Sequence, residues 1–218
     1  MHPTGKVEEG SRGAVKSVRW ATPWPEYNAL DAIFHFVVDL AADEENAKHE
    51  VHITEEINCL TEDWTHWMDP GEAGFLNPPY GQEVKPKPEK GVIGNVGVSA
   101  FLCKSFYEVQ KGITVVVLVH AKTETQWWID WAERSTEQWF VKGRIPFIDP
   151  LTGKPGRGGP SVGQAILIYD ENSGKAPPVR KWVNRKMQEV GPRPLTEAER
   201  DWWGVHTMRS ISGRLGQL

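Results

Sequence analysis

Ile113-Thr114-Val115-Val116-Val117-Leu118-Val119 is an apolar, β-branched run without polar alternation. A strand of that composition is buried on both faces, so the chain needs a covering layer on each side of a sheet. The run leads into His120-Ala121-Lys122-Thr123-Glu124-Thr125, polar residues at the C-terminal end of a strand. Open α/β sheets place their sites there. A second run, Phe36-Val37-Val38-Asp39-Leu40-Ala41-Ala42, ends in an acid and small residues in the same way. It lacks a glycine fingerprint, which leaves a dinucleotide site little support. Asp39 either caps the following turn, residues 43–48, or faces the amine or hydroxyl groups of a ligand.

Helical signals alternate with these strands. Thr22-Pro23 with Glu26 marks a helix start, and Tyr27, Leu30, Ile33 and Phe34 follow at helical spacing. Residues 99–111 predict an amphipathic helix with Phe101, Leu102, Ser105, Phe106 and Val109 on one face. Trp127, Trp128 and Trp131 belong to a further helix and are mostly core. Shorter strands are expected at 51–54, at the approach to Asn77, at 138–141 and at 164–169. Segments 82–97 and 149–163, rich in Gly and Pro, read as loops. In the tail, 179–190 predicts a helix stopped by Gly191-Pro192. A second helix begins at Thr196, with Glu199 completing a capping box, and carries Trp202 and Trp203. This alternation of about six strands with helices predicts an open, mostly parallel α/β sheet ending in an antiparallel hairpin.

The most chemically specific stretch is Gly74-Phe75-Leu76-Asn77-Pro78-Pro79-Tyr80-Gly81. Each proline fixes its own φ, and Pro78 keeps Asn77 out of the helical region. A stiff turn after a buried strand then presents an amide, the Asn77 and Pro78 carbonyls and the Tyr80 ring to one space. A planar ring bearing an amine suits it, with carbonyl oxygens accepting from the NH₂ group and the tyrosine face stacking. The structural alternative is a Pro-Pro loop with a packed tyrosine. Asp63 beside Trp64 could hydrogen-bond and sandwich a purine; equally, Trp64 could be core and Asp63 a turn residue.

Charge narrows the partners. The 218 residues carry a net charge of −4, which argues against a simple nucleic-acid coat. The charge is uneven: residues 1–174 hold 16 basic and 25 acidic side chains, and residues 175–218 hold 9 and 4. A basic tail on an acidic body suggests a polyanion contact, with a solvated helix surface as the competing reading. Residues 1–19 lack the apolar centre of a signal peptide and read as a polar arm. No apolar run reaches membrane-spanning length. Two cysteines, Cys59 and Cys103, give no disulfide framework and point to a reducing cytoplasm. His49, His52, Cys59 and His66 fit no standard zinc spacing and read as a surface scatter. The expected organisation is the arm (1–19), one α/β domain (20–170) and a basic helical tail (171–218).

Asn77-Pro78-Pro79-Tyr80 resembles the catalytic motif of amino-methyltransferases that use S-adenosylmethionine. Further pieces in the same order are similar to the phage and prophage DNA adenine methyltransferases of the Dam type. They are Thr22-Pro23, Asp39-Leu40-Ala41-Ala42 with Glu45-Asn46-Ala47-Lys48, Asp63-Trp64, Ala121 to Trp127, and Gly143-Arg144-Ile145 with Phe147. The resemblance covers roughly Trp20 to Tyr169. It implies a Rossmann-like class I methyltransferase sheet and an enzyme that moves a methyl group from S-adenosylmethionine to adenine N6 in double-stranded DNA. It also implies roles. Asn77, Pro78, Pro79 and Tyr80 are catalytic. Trp20, Thr22 and Pro23 hold the methionine end of the cofactor, beside Asp39 and Ala41. Asp63 accepts from the cofactor's adenine amine with Trp64 lining that face, and Glu45 or Glu55 holds the ribose.

A duplex base reaches such a pocket only when flipped out, with phosphate contacts recovering the cost of opening the helix. The candidates for DNA contact are Lys122, Thr123, Arg144 and Arg157, with Lys85, Lys87 and Lys90 on the 82–97 loop and Arg180, Lys181, Arg185 and Lys186 in the tail. No membrane partner is implied, and the expected state is a monomer or weak dimer. Competing acceptors are a cytosine amine, RNA adenine or a protein glutamine amide. An inactive DNA-binding relative and a Trp-rich protein-binding module are the non-enzymatic alternatives.

Overall fold

The apolar run at 113–119 becomes the centre of a six-stranded sheet in the computed structural model, which describes residues 20–80, 97–149, 152–156, 161–194 and 196–200. In chain order the elements are α1 (Trp24–Phe34), β1 (Phe36–Asp39), β2 (Ala73–Leu76), α2 (Val98–Glu108), β3 (Thr114–His120), α3 (Gln126–Asp130) and β4 (Glu137–Val141). The short strands β5 (Ile148–Asp149) and β6 (Lys154–Pro155), then β7 (Gln164–Tyr169) and β8 (Val179–Val183), complete it. The sheet order is β1-β2-β3-β7-β4-β8. The pairs β1–β2, β2–β3 and β4–β8 are parallel, and β7 lies antiparallel between β3 and β4. A separate antiparallel hairpin, β5–β6, occupies part of the 149–163 segment expected as loop.

Side chains of β3 alternate between two cores, as the period of a strand requires. Val115, Val117 and Val119 pack with Leu102, Trp128 and Leu167 on one face. Val116 and Leu118 pack with Tyr27, Leu30, Phe75 and Ile166 on the other. Each such aliphatic side chain, wholly withdrawn from water, contributes about 1.5–3 kcal/mol. α1 therefore covers one face and α2 with α3 the other. Tyr27 and Leu30 supply the buried stripe of α1, whereas Ile33, expected on that stripe, is exposed. The helix expected at 99–111 is present as α2 followed by a 3₁₀ turn, Val109–Lys111, ended by Gly112 at φ 91°.

Two expectations are corrected. The strand expected at 51–54 is reduced to a bridge, His52 with Asp39, flanked by hydrogen bonds from Asp39 N–H to the Val51 carbonyl and from Ile53 N–H to Asp39. The helix expected at 179–190 is not formed: Val179–Val183 is an edge strand along β4. Lone basic residues among β-branched and aromatic ones suit either conformation. The strand is favoured because β4 offers an unpaired ladder and Glu133 and Glu137 pair with Arg180 and Lys181. The chain then turns at Asn184, with Met187 at φ 58°. The capping box does form: Glu199 N–H donates to Thr196 Oγ1 at 3.2 Å and Thr196 N–H to Glu199 Oε2 at 2.8 Å. Trp202 and Trp203 lie outside the described residues.

Because β1, β2 and β3 run parallel, they deliver Asp39, Asn77 and His120 to one edge of the sheet. The segment after β4 returns across that edge, where Ile148 and Ala21 exchange backbone hydrogen bonds at 2.8 and 2.9 Å. The entry to α1 thereby joins the same edge.

Candidate active site

β2 packs closely under its neighbours, since a Cβ at Gly74 would stand 2.9 Å from both Leu40 Cδ1 and Met68 Sδ and would have to displace those side chains. The strand ends at Leu76, and Asn77 begins the proline-stiffened turn. Asn77 Nδ2 donates to the Trp20 carbonyl at 3.3 Å. That bond fixes the amide orientation. Oδ1 of the same amide is sealed from solvent with no hydrogen-bond partner among the described residues, and so is Thr22 Oγ1. Glu26 Oε2 is the third such atom among the described residues, and a buried polar atom without a partner costs about 1–3 kcal/mol. The Trp20 backbone is itself set by the Ala21–Ile148 bridge. Its indole packs on Gly156, where an added Cβ would meet Cη2 at 2.6 Å.

Tyr80 is held at several points. Its hydroxyl donates to the Leu118 carbonyl at 2.8 Å, its ring stacks on His120 with centroids 4.0 Å apart, and Phe147 meets it edge-on at 6.3 Å. Burial raises the phenol pKa, so the hydroxyl keeps its proton. Burial, and then Lys122, lower the His120 pKa. Neither His120 nor the use of Phe147 as a wall followed from the motif. The available signal was position, since His120 closes the strongest strand and β2–β3 register sets Leu76 against Val117.

At the end of β1, Asp39 caps the next turn. Oδ2 accepts from Lys48 N–H at 3.0 Å and Oδ1 from Ala41 N–H at 3.4 Å. Burial raises its pKa to about 6 against those two bonds. Beside it the Lys48 ammonium lies 4.4 Å over the Trp24 ring, with its own pKa lowered by burial. Asp39, Ala41 and the Asn77–Tyr80 turn thus stand at neighbouring strand exits, and Trp20 joins them through its carbonyl, with Thr22 and Pro23 next in the chain.

Asp63 and Trp64 do not join it. Trp64 is fully buried, its indole N–H on the Cys59 carbonyl at 2.8 Å, so its ring is core. Asp63 accepts from Thr65 and pairs with Lys111 at 2.8 Å, contacts that hold its carboxyl well below the usual range. Lys111 precedes the entry of β3, whereas Asn77 and His120 stand at strand exits. β3 alone separates those ends by about 20 Å at the usual rise. The turn-residue and core readings of the pair are the ones realised.

Among the proposed DNA contacts, Lys122 and Thr123 follow β3 directly, and Thr125 caps that turn on the Lys122 carbonyl. Arg144 follows Gly143, which takes φ 92°, at the same edge. Arg157 and the lysines of the 82–97 loop lie outside the described residues. Three of the four tail cations are engaged elsewhere: Arg180 pairs with Glu133, Lys181 with Glu137 and Arg185 with buried Glu26. Among the described residues no cluster of His, Cys, Asp or Glu could hold a metal ion.

The structure is a mixed α/β sheet whose strand exits carry the Asn77 amide, the Tyr80 ring and His120. The family model for DNA N-6-adenine-methyltransferase (Dam) matches residues 13–192, and the chain belongs to that family. It is a DNA adenine-N6 methyltransferase. The chain is 32% identical over 139 residues to the DNA N-6-adenine-methyltransferase of Haemophilus phage HP1 (strain HP1c1), covering 62% of this chain and 69% of that protein. It is 38% identical over 64 residues to the Escherichia coli (strain K12) protein named "Putative methyltransferase YfdM", covering 28% of this chain and 70% of that protein.

Proposed function

We propose that the methyl donor is S-adenosylmethionine, that the acceptor is an adenine flipped from double-stranded DNA, and that the sheet is a Rossmann-like class I methyltransferase sheet. The observation that carries the reading is the Asn77 amide, anchored through Nδ2 while Oδ1 has no donor among the described residues. The cofactor is assigned to these strand exits. Its methionine ammonium needs acceptors, and Thr22 Oγ1 is sealed without a partner beside Pro23 and Trp20. Asp39 shapes the neighbouring turn. The role given to Asp63 has no holder at its distant position, and Glu45 or Glu55 remains the choice for the ribose.

Bound there, the cofactor supplies an electrophilic methyl group. The residues of the chain prepare the nucleophile. An exocyclic aromatic amine is poor at attack because its lone pair is delocalised into the ring. Asn77 Oδ1 and the Pro78 carbonyl accept its two N–H bonds, draw the nitrogen toward tetrahedral geometry and oppose the positive charge that grows during transfer. Asn77 cannot take up a proton, so the surplus proton leaves to water. Tyr80 stacks on the base and Trp20 holds the amide still, so that much of the rate comes from alignment. Lys122, Thr123 and Arg144 stand at the same edge to meet the DNA backbone, with Arg157 the remaining candidate. The chain acts in the cytoplasm as a monomer or weak dimer.

Calorimetric titration with S-adenosylmethionine tests the site. Wild type binds, and Thr22→Val binds more weakly. Failure of the wild type to bind refutes the reading, and unchanged binding by Thr22→Val removes Thr22 from it.

A further inference from the structure

Tyr80 has more fixed contacts than any other residue of the motif. Its hydroxyl is tied to the Leu118 carbonyl at 2.8 Å. One ring face lies on the His120 imidazole, with centroids 4.0 Å apart and planes inclined by 21°. Phe147 stands edge-on to both rings, at 6.3 Å and 65° from Tyr80 and at 6.5 Å and 82° from His120. His120 is fixed in turn by the sheet, because it ends β3 and pairs in register with Gln164 of β7. Gln164 Oε1 accepts from Ile145 N–H at 2.8 Å, which holds the strand exit against the segment bearing Phe147. A tyrosine tied only at its hydroxyl can still swing about that point. A flat ring against one face removes that freedom.

We propose that His120 is a positioning residue for methyl transfer, a buttress that lies on one face of Tyr80 and fixes the ring that stacks on the flipped adenine. This rests on the reading of Tyr80 as the base-stacking ring. A base that stacks on a ring already held need not order that ring at the moment of transfer, so the gain goes into alignment. Removing the buttress should therefore lower kcat more than DNA affinity, which phosphate contacts dominate.

The test measures kcat and KM on unmethylated duplex DNA with labelled S-adenosylmethionine. His120→Ala lowers kcat about five- to tenfold, the value of one offset stack, while KM for DNA stays within about twofold. His120→Phe, which restores a flat ring, returns kcat to within about twofold of wild type. A readout independent of activity comes from NMR of the full chain. The His120 Cε1–H resonance is displaced by the Tyr80 ring current and returns toward the random-coil position in Tyr80→Leu. An unchanged kcat in His120→Ala, or no rescue by Phe, overturns the proposal. If Tyr80→Leu loses transfer and His120→Ala does not, only the buttress falls. If Tyr80→Leu transfers normally while the resonance shift is seen, the base-stacking reading of Tyr80 falls instead.

Discussion

Asn77→Ala separates a catalytic amide from a structural one. The variant gives up the Nδ2 bond to the Trp20 carbonyl, a long neutral contact of 3.3 Å worth about 0.5–1 kcal/mol. It also removes Oδ1, sealed without a partner among the described residues, which relieves about 1–3 kcal/mol. Trp20 is 38% exposed, so water can take over its carbonyl. The sum runs from roughly neutral to about 2 kcal/mol of added stability, against the destabilisation usual for a truncation. Catalysis moves the other way. Loss of one preorganised partner of developing charge lowers kcat by about 10²–10³-fold, and positioning losses add to that. Urea denaturation and single-turnover transfer to DNA, on the same preparations, read the two effects. A variant that is both 2 kcal/mol less stable and fully active would refute the reasoning, since the amide would then be holding the fold and not the substrate.

Asp39→Asn tests the turn cap through pH. The carboxyl, with a pKa near 6, lies above its unfolded value of about 3.9, so the ionised form weakens the fold. The cost is absent below about pH 4, grows through pH 4–6 and reaches about 3 kcal/mol above it. The Asn variant should therefore gain on wild type as pH rises across that window, by urea midpoints at pH 4 and 7.5, and a constant gap would contradict this. Arg185→Met leaves Glu26, which is 1% exposed, without its cation and should destabilise by about 3–5 kcal/mol in denaturant. An effect below about 1 kcal/mol would mean water replaces the arginine. Asp63→Ala should leave calorimetric affinity for S-adenosylmethionine unchanged, whereas a tenfold loss would return Asp63 to the cofactor site.

The strands at 36–39, 114–120 and 164–169 were legible because buried strands carry continuous apolar runs. The turn at Asn77 was legible because two prolines dictate its shape locally. What was not legible depends on which end of an element meets which neighbour. Asp63-Trp64 reads the same at a strand exit or beside a strand entry, and only the Lys111 contact shows which. Val179–Val183 carries no periodicity strong enough to choose between helix and strand, so the open edge of β4 chooses. His120 and Tyr80 lie in separate elements and meet through the register of β2 with β3, which no local pattern records.

The most direct test incubates the full chain with S-adenosylmethionine labelled in the methyl group and unmethylated double-stranded DNA, then digests the DNA to nucleosides. Label co-migrating with N6-methyldeoxyadenosine for wild type, and lost in Asn77→Ala, is the predicted result. Label in N4-methyldeoxycytidine, in the protein, or in no product would contradict it.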